Sequence, residues 1–436
     1  MLYWLFSMMN LKKRIEELEK IAKRQEEIIL KQAEKINKLE EQIKSLKEGN
    51  MERPSFVKTP IKTYQKTPGQ KEGHEGITRP IPEKIDEEIT LEKCPDCGTK
   101  LSTTEIRERY VEDIVFPKKV VRKYYQHRGW CCNCKKIKTA RTTDALPRFR
   151  FGLTLMLFVC FQKLGLALTI NKIKKELETY FNIQVSEGEI SQIITKTAKH
   201  FKQEFENLKQ EMRSMPVCYT DETSWRENGK NRWLWTFINK KIALYKIDKS
   251  RGAKVPLNIL GKNYSGTMPS DRYSAYNAFE NQSKCKQQKC WTHILRNSKD
   301  LAEHYPEAKY IHRRLKSIYK KAKEGEKKEK LLHWIDLIAE RRYHGSEVPK
   351  FIRSICIKHR ENLFRFVDNP EVESTNNRAE RGLRPLVVMR KISGGNRSKA
   401  GVQATEIFSS VINSWQLQGR NFIADGMNFL QSTAFR

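Results

Sequence analysis

Residues 11–47 repeat with a period of seven, and no Pro or Gly interrupts them. Ile15, Ala22, Ile29, Ile36 and Ile43 occupy one position of the repeat. Leu11, Leu18, Gln25, Gln32, Leu39 and Leu46 occupy the other, with Glu and Lys on the flanks. A sustained heptad stripe of this kind is buried by winding against the same stripe on another helix. Residues 10–48 are therefore expected to form a self-associating coiled coil, its seam weakened but held in register by Gln25 and Gln32. A rod of that kind leaves the building of any core to the rest of the chain.

Residues 49–90 carry Pro54, Pro60, Pro68, Pro80 and Pro82 with Gly69, Gly73 and Gly76, the composition of an extended linker. The full 436 residues have room for two to four domains and at least one sizeable core. Against 52 acidic residues stand 84 Lys and Arg, a formal net charge of +32 that favours a polyanion, most simply nucleic acid. The surplus is clustered. From Lys118 to Arg150 there are eleven basic residues and one acid, and from Arg378 to Lys399 seven and one, the acid there being Glu380. Neither Met1–Met9 nor Leu153–Phe161 is long enough to span a bilayer, and no secretory signal is predicted. Ten cysteines without such a signal point to a reducing compartment, and so to thiols or a metal rather than disulfides.

Two C-x-x-C knuckles can present four thiolates, Cys94, Cys97, Cys131 and Cys134, to one structural zinc ion. The strand-like stretch Lys119–Tyr125 between them is expected to belong to this ribbon, residues 91–140, with Cys132 a bystander. Residues 148–212 read as helical. Ser186 with Glu189 makes a capping box, so a new helix begins there after a short turn. Helix, turn and capped helix fit a DNA-reading helix-turn-helix and a plain bundle equally well.

Three acids then stand out. Asp221 follows the apolar run Val217–Thr220 and precedes two more strand-like runs, Trp233–Ile238 and Ile242–Ile247, together predicting an antiparallel meander. Asp271 follows a second β-rich stretch, and Glu380 lies in a helical, arginine-rich segment. Two strand-borne aspartates and one helix-borne glutamate, brought together, can hold two hard divalent cations and cut or join a phosphodiester. Glu222, the neighbour of Asp221, should face the other side of the strand. Cys290 and His293 are expected to support the site. Residues 297–368 look like a helical insertion with a core of its own, built from Leu315, Ile318, Tyr319, Leu331, Trp334, Ile335 and Leu337.

Taken in order, these segments resemble the IS66 (TnpC-type) insertion-sequence transposases over nearly the whole chain. The resemblance is carried by PGQKEGHEG from Pro68, CPDCG from Cys94, Arg150-Phe-Gly152, TDETSW, SDRYSAY, CWTHILR, NNRAERGLRP and the later RKISGG. Arg272 departs from the pattern, where a Gly is more usual. The resemblance implies a multidomain α+β chain: coiled coil, zinc ribbon, helix-turn-helix-like domain, and an RNase H-like α/β core (213–296 and 369–436) holding the insertion. It implies that Asp221, Asp271 and Glu380 form a DDE triad for two Mg²⁺ ions, Asp221 bridging them. Cutting an element end would free a 3′-hydroxyl that then joins target DNA. Arg381, Arg384, Arg390 and Lys391 are expected to contact DNA, and Asn376 and Asn377 to position the helix of Glu380. The expected partners are element ends, target DNA, further copies of the chain and accessory proteins of the element, in a prokaryotic cytoplasm and not a membrane. The competing classes are a non-catalytic DNA-binding regulator and a stand-alone nuclease.

Overall fold

In a computed structural model of the chain, residues 2–47 and 149–434 are described throughout. Between them only residues 83, 85, 88, 96–99, 119–125, 128–133, 135–139 and 144–146 are described. The chain divides into two units, Met1–Glu112 and Asp113–Arg436, each taken by itself below.

Among the described residues the first unit holds one helix, α1 (Leu2–Lys47), unbroken through all the heptads. Along a single chain the seam is open: Leu18, Ile29, Ile36 and Leu39 are each at least half exposed. Most of the expected linker, and Cys94 and Cys134 of the expected zinc ligands, lie outside the described residues.

In the second unit, strands β1 (Arg128–Cys131) and β2 (Lys136–Thr139) form an antiparallel hairpin. Its turn holds Cys132 and a left-handed Lys135. The ribbon strands thus flank the second knuckle. Lys119–Tyr125, expected as ribbon, is not a strand: Val120, Val121 and Tyr125 are exposed and pair with no strand among the described residues.

Four helices follow: α2 (Leu153–Leu164), α3 (Ile170–Phe181), α4 (Glu187–His200) and α5 (Lys202–Ser214). The apolar run expected as a buried helix is α2, with Met156, Leu157, Val159 and Cys160 all inaccessible. Ser186 caps α4 as the sequence predicts: its hydroxyl accepts from Glu189 N (3.2 Å) while the Glu189 carboxylate accepts from Ser186 N (2.9 Å).

The meander is present as β3 (Tyr219–Glu227), β4 (Lys230–Ile238) and β5 (Ala243–Asp248), antiparallel in that order. Asn228 (φ 46°) and Gly229 (φ 74°) turn the first hairpin, as a two-residue turn with both residues left-handed requires. Helix α6 (Lys254–Leu260) leads to β6 (Thr267–Ser270), and α7 (Ser274–Gln282) to β7 (Lys286–Lys289), which is parallel to β6. The residues just before β3 run parallel to the start of β6 through Cys218 N–Thr267 O (3.0 Å) and Thr267 N–Pro216 O (2.8 Å). The strands therefore lie in the order β5-β4-β3-β6-β7.

Next come α8 (Trp291–His304), α9 (Ala308–Lys323), α10 (Lys328–Ala339), α11 (Glu347–Ile352), a π-helical turn at Arg353–Lys358 and α12 (Arg365–Asp368). They close a second apolar core around Ile311, Leu315, Leu331, Ile335 and Phe364. Leu337, expected inside it, is 38% exposed, because it falls on the outer face of α10. The chain returns through α13 (Asn377–Ser393), α14 (Lys399–Leu417) and α15 (Phe422–Ala434). Helices α2 to α5, the sheet, α14 and residues of α13 and α15 share the first core. Helix α14 also covers the open edge of β5. Glu406, Ser410 and Ser414, one turn apart, accept from Ile247 N (2.8 Å), Tyr245 N (2.9 Å) and Ala243 N (2.9 Å). A bare edge strand invites pairing with other chains; here side chains take the place of a partner strand.

Candidate active site

The three acids come from three elements. Asp221 sits inside β3, Asp271 directly after β6, and Glu380 in the first turn of α13. One small knot of hydrogen bonds ties those elements together next to each acid. Asn376, fully buried at the start of α13, donates its amide to the carbonyl of Thr220, the residue before Asp221 (2.8 Å). Its backbone N–H donates to the Cys290 sulfur (3.2 Å). Cys290 N in turn donates to Ser270 O (3.0 Å), the residue before Asp271, and Asn376 O accepts from Glu380 N (3.2 Å). Cys290 and Asn376, expected as supporting residues, thus reach all three acids through the backbone.

His293, one turn into α8, rests against Cys290 and brings Nε2 to 3.9 Å from Glu380 Oε1. The Cys290 contact raises the His293 pKa, against the effect of burial, and the charges of Glu380 and Asp271 add to the rise. Burial alone would raise the Cys290 thiol. Hydrogen bonds with His293 and from Asn376 N bring it below its ordinary value.

Asp221 is pushed up to about 7, first by burial, then by the charge of Glu222, and further by Asp271 and Glu380. The carboxylates are thus close enough to repel one another. Asp271 is held on both sides. Its Oδ1 accepts from Tyr273 N (2.8 Å), and its carbonyl accepts from Lys289 Nζ (3.0 Å). Lys289 has no accessible surface, also donates to Asn277 Oδ1 (3.1 Å) and Gln287, and is lowered by burial to about 8. Sequence reasoning missed this lysine. Its strand, Lys286-Gln-Gln-Lys289, is wholly polar, yet Gln287, Gln288 and Lys289 are all at 0% exposure. Each is paired inside, as burial of polar groups demands.

Glu222 does not share the cluster of three but is bound beside it, to Arg251 (Nη2–Oε1 2.8 Å) and to the Tyr276 hydroxyl. Glu373, seven residues before Glu380, is not on its helix; it precedes α13 and pairs with Arg378 Nη2 at 2.6 Å. Arg381, Arg384 and Lys391 are exposed on α13, Asn377 opens that helix, and Arg390 is held by Ser224 Oγ (2.7 Å) and Thr223 Oγ1 (3.2 Å) of β3. Arg272 turns away from the acids to Ser354 Oγ (3.3 Å) and the Phe351 ring (5.3 Å) in the insertion.

The donor set, all carboxylate oxygens with mutual repulsion to relieve, fits a hard divalent cation. Among the described residues no group of three or more His, Cys, Asp or Glu side chains is gathered tightly enough to hold a metal ion alone. Mg²⁺ does not require such a cage, since it keeps waters and is shared between one or two carboxylates and substrate phosphates.

The family described as Transposase IS66 family matches residues 148–404, more than half the chain. The match takes in all three acids, Cys290, His293 and Asn376. No curated protein matches the chain. Among the described residues no helix is long and apolar enough to cross a membrane.

Proposed function

The chain belongs to the IS66 transposase family, and from that premise we propose that it is a DDE-type DNA transposase that cuts at insertion-sequence ends and joins the freed 3′-hydroxyl to target DNA. The observation that carries the reading is the knot of Asn376 and Cys290, which ties the backbone beside Asp221, Asp271 and Glu380 into one place. A DNA-binding regulator has no use for half-buried carboxylates whose charges act on one another. The strand order β5-β4-β3-β6-β7, with the first acid inside β3 and the second just after β6, supports an RNase H-like core.

Asp221, Asp271 and Glu380 would hold the Mg²⁺ ions. The ions would supply neutralisation of charge at the attacking and leaving oxygens of an in-line displacement. The protein's own part is to fix the three carboxylates. Asn376 holds β3 against α13, Cys290 holds β6 against the same turn, and Lys289 and Tyr273 N hold Asp271. Arg381, Arg384 and Lys391 would meet the DNA backbone, and Arg390 would act through β3. The heptads of α1 would bring chains together and so help capture two element ends jointly. Cys94, Cys97, Cys131 and Cys134 are proposed, on their spacing, to hold a structural zinc. Zinc analysis of reduced protein tests that assignment, and less than one zinc per chain would remove it.

Asp221→Asn, Asp271→Asn and Glu380→Gln keep side-chain size and remove the charge that attracts hard cations. Each should abolish Mg²⁺-dependent cleavage of DNA carrying the element's own ends. DNA affinity and its salt dependence should persist, since they come from Lys and Arg. Glu373→Gln should retain cleavage, its carboxylate being occupied by Arg378. Full cleavage by Glu380→Gln would refute the triad.

A further inference from the structure

Arg251 lies in the loop after β5, and three separate segments fix it. Its Nε donates to Glu222 Oε1 on β3 (2.9 Å), and its Nη2 forms an ion pair with the same oxygen at 2.8 Å. Its guanidinium carbon lies 4.5 Å from the ring centre of Trp233 on β4 and 4.1 Å from that of Tyr273, two residues after Asp271. The loop itself is pinned: Ser250 O accepts from Trp235 Nε1 (3.1 Å), Ser250 N donates to Asp248 Oδ1 (2.8 Å), and Gly252 N donates to Ser250 Oγ (3.0 Å).

The two members of this ion pair differ sharply in exposure. The Glu222 side chain is 2% exposed, while Arg251 keeps 40% of its side-chain surface open. Nη1 has no protein acceptor among the described residues. A guanidinium on a loop ordinarily samples many rotamers and loses that freedom on binding an anion. Here carboxylate, rings and loop have already ordered it, and what remains is one donor edge in a set direction. The charge of Asp271 acts on the Arg251 guanidinium, and Tyr273, against that guanidinium, donates its backbone N–H to the same acid.

An anionic strand approaching three carboxylates, Asp221, Asp271 and Glu380, needs a cation facing it. Lys289 is fully buried and Arg272 is turned into the insertion. We propose that Arg251 is a phosphate-binding residue of the cleavage site, its free edge taking a non-bridging oxygen of the DNA strand beside the bond to be cut. Glu222 and Trp233 are then positioning residues, which aim the arginine without touching DNA. This rests on the transposase reading above and adds a contact to it.

The test is single-turnover cleavage, by the full chain with Mg²⁺, of duplex carrying the element ends. Phosphates near the cut are replaced one at a time by neutral methylphosphonate. Arg251→Ala should slow cleavage of unmodified DNA on the order of a hundredfold, as loss of one preset donor does, with affinity nearly unchanged. One neutral linkage should slow the wild type by a similar factor and add nothing in Arg251→Ala. Arg251→Lys, which keeps the charge without the fork, should recover only part of the rate. If every neutral linkage costs both proteins alike, Arg251 is only the partner of Glu222 and the proposal fails. Should Arg251→Ala not fold, the same comparison is made with Arg251→Lys, where equal costs at every position overturn it equally. If Asp221→Asn cuts as well as the wild type, the transposase reading falls and takes this contact with it. Cleavage that depends on Asp221 but shows no masked linkage removes the contact alone.

Discussion

Asp221 bears the electrostatic strain of the site. In the folded chain its pKa stands at about 7 against an ordinary 3.8, because burial and neighbouring carboxylates disfavour its charge. A folded-state value above the unfolded one means that the folded form binds the proton more tightly. Its contribution to stability is therefore whole below pH 4 and is lost as pH rises toward 7. The full shift corresponds to at most about 4 kcal/mol. Without divalent cations, Asp221→Asn should therefore melt higher than the wild type at pH 8 and equal to it below pH 4. Thermal melts at both values decide this, and a wild type as stable as the variant at pH 8 would remove the crowding from the explanation. The three candidate acids were legible because each sits in a patterned setting: an apolar run, a β-rich stretch, a lone acid among arginines. Lys289 was not. A lysine in a polar tetrapeptide carries no sign of burial, and only the acceptors gathered from α7, β7 and the loop of Asp271 make its burial tolerable.

Among the elements, α13 bears most of the site's geometry. It carries Glu380, and it lies so close to the sheet that a Cβ on Gly382 would come within 2.9 Å of Ile238 Cδ1. Tyr245 of β5 donates its hydroxyl to Gly382 O (2.7 Å), which fixes the helix along its length. Past its end, the two glycines of the RKISGG run have different jobs. Gly394 stops the helix in a left-handed conformation (φ 70°) with open space around it. Gly395 (φ 106°) passes against the tip of the β3–β4 hairpin, where a Cβ would stand 2.3 Å from Arg226 O. There Asn396 N donates to Arg226 O (2.9 Å) and Asn396 O accepts from Asn228 N (2.7 Å). Gly394→Ala should cost about 1–2 kcal/mol, the strain of a left-handed residue. Gly395→Ala should cost more, about 2–4 kcal/mol, since backbone must also move. Urea unfolding of both variants measures the difference, and equal midpoints would show that the hairpin contact contributes nothing.

At the scale of the whole molecule the open face of α1 remains to be accounted for. Ile29 and Ile36 are 64% and 55% exposed on a single chain, and burial of such a seam against another copy is what heptads provide. Ile29→Lys with Ile36→Lys should bring the particle mass down toward that of one chain, as read by light scattering. An unchanged mass would place self-association elsewhere. The sequence alone determined what is local and periodic. The long helix, the buried α2, the capping box of α4, the meander and the separate core of the insertion all follow from spacing, capping chemistry and hydropathy within short windows, and the same windows single out the three acids as candidates. Tertiary structure decided what depends on residues far apart in the chain. Asn376 reaches Thr220 across 156 positions and Ser414 reaches Ala243 across 171. No local pattern marks an asparagine that joins three elements, a polar strand that is buried, or an arginine held by one carboxylate and two rings. Those arrangements exist only where separate segments meet, because hydrogen bonds and charge pairs act over a few ångströms of space and take no account of distance along the chain.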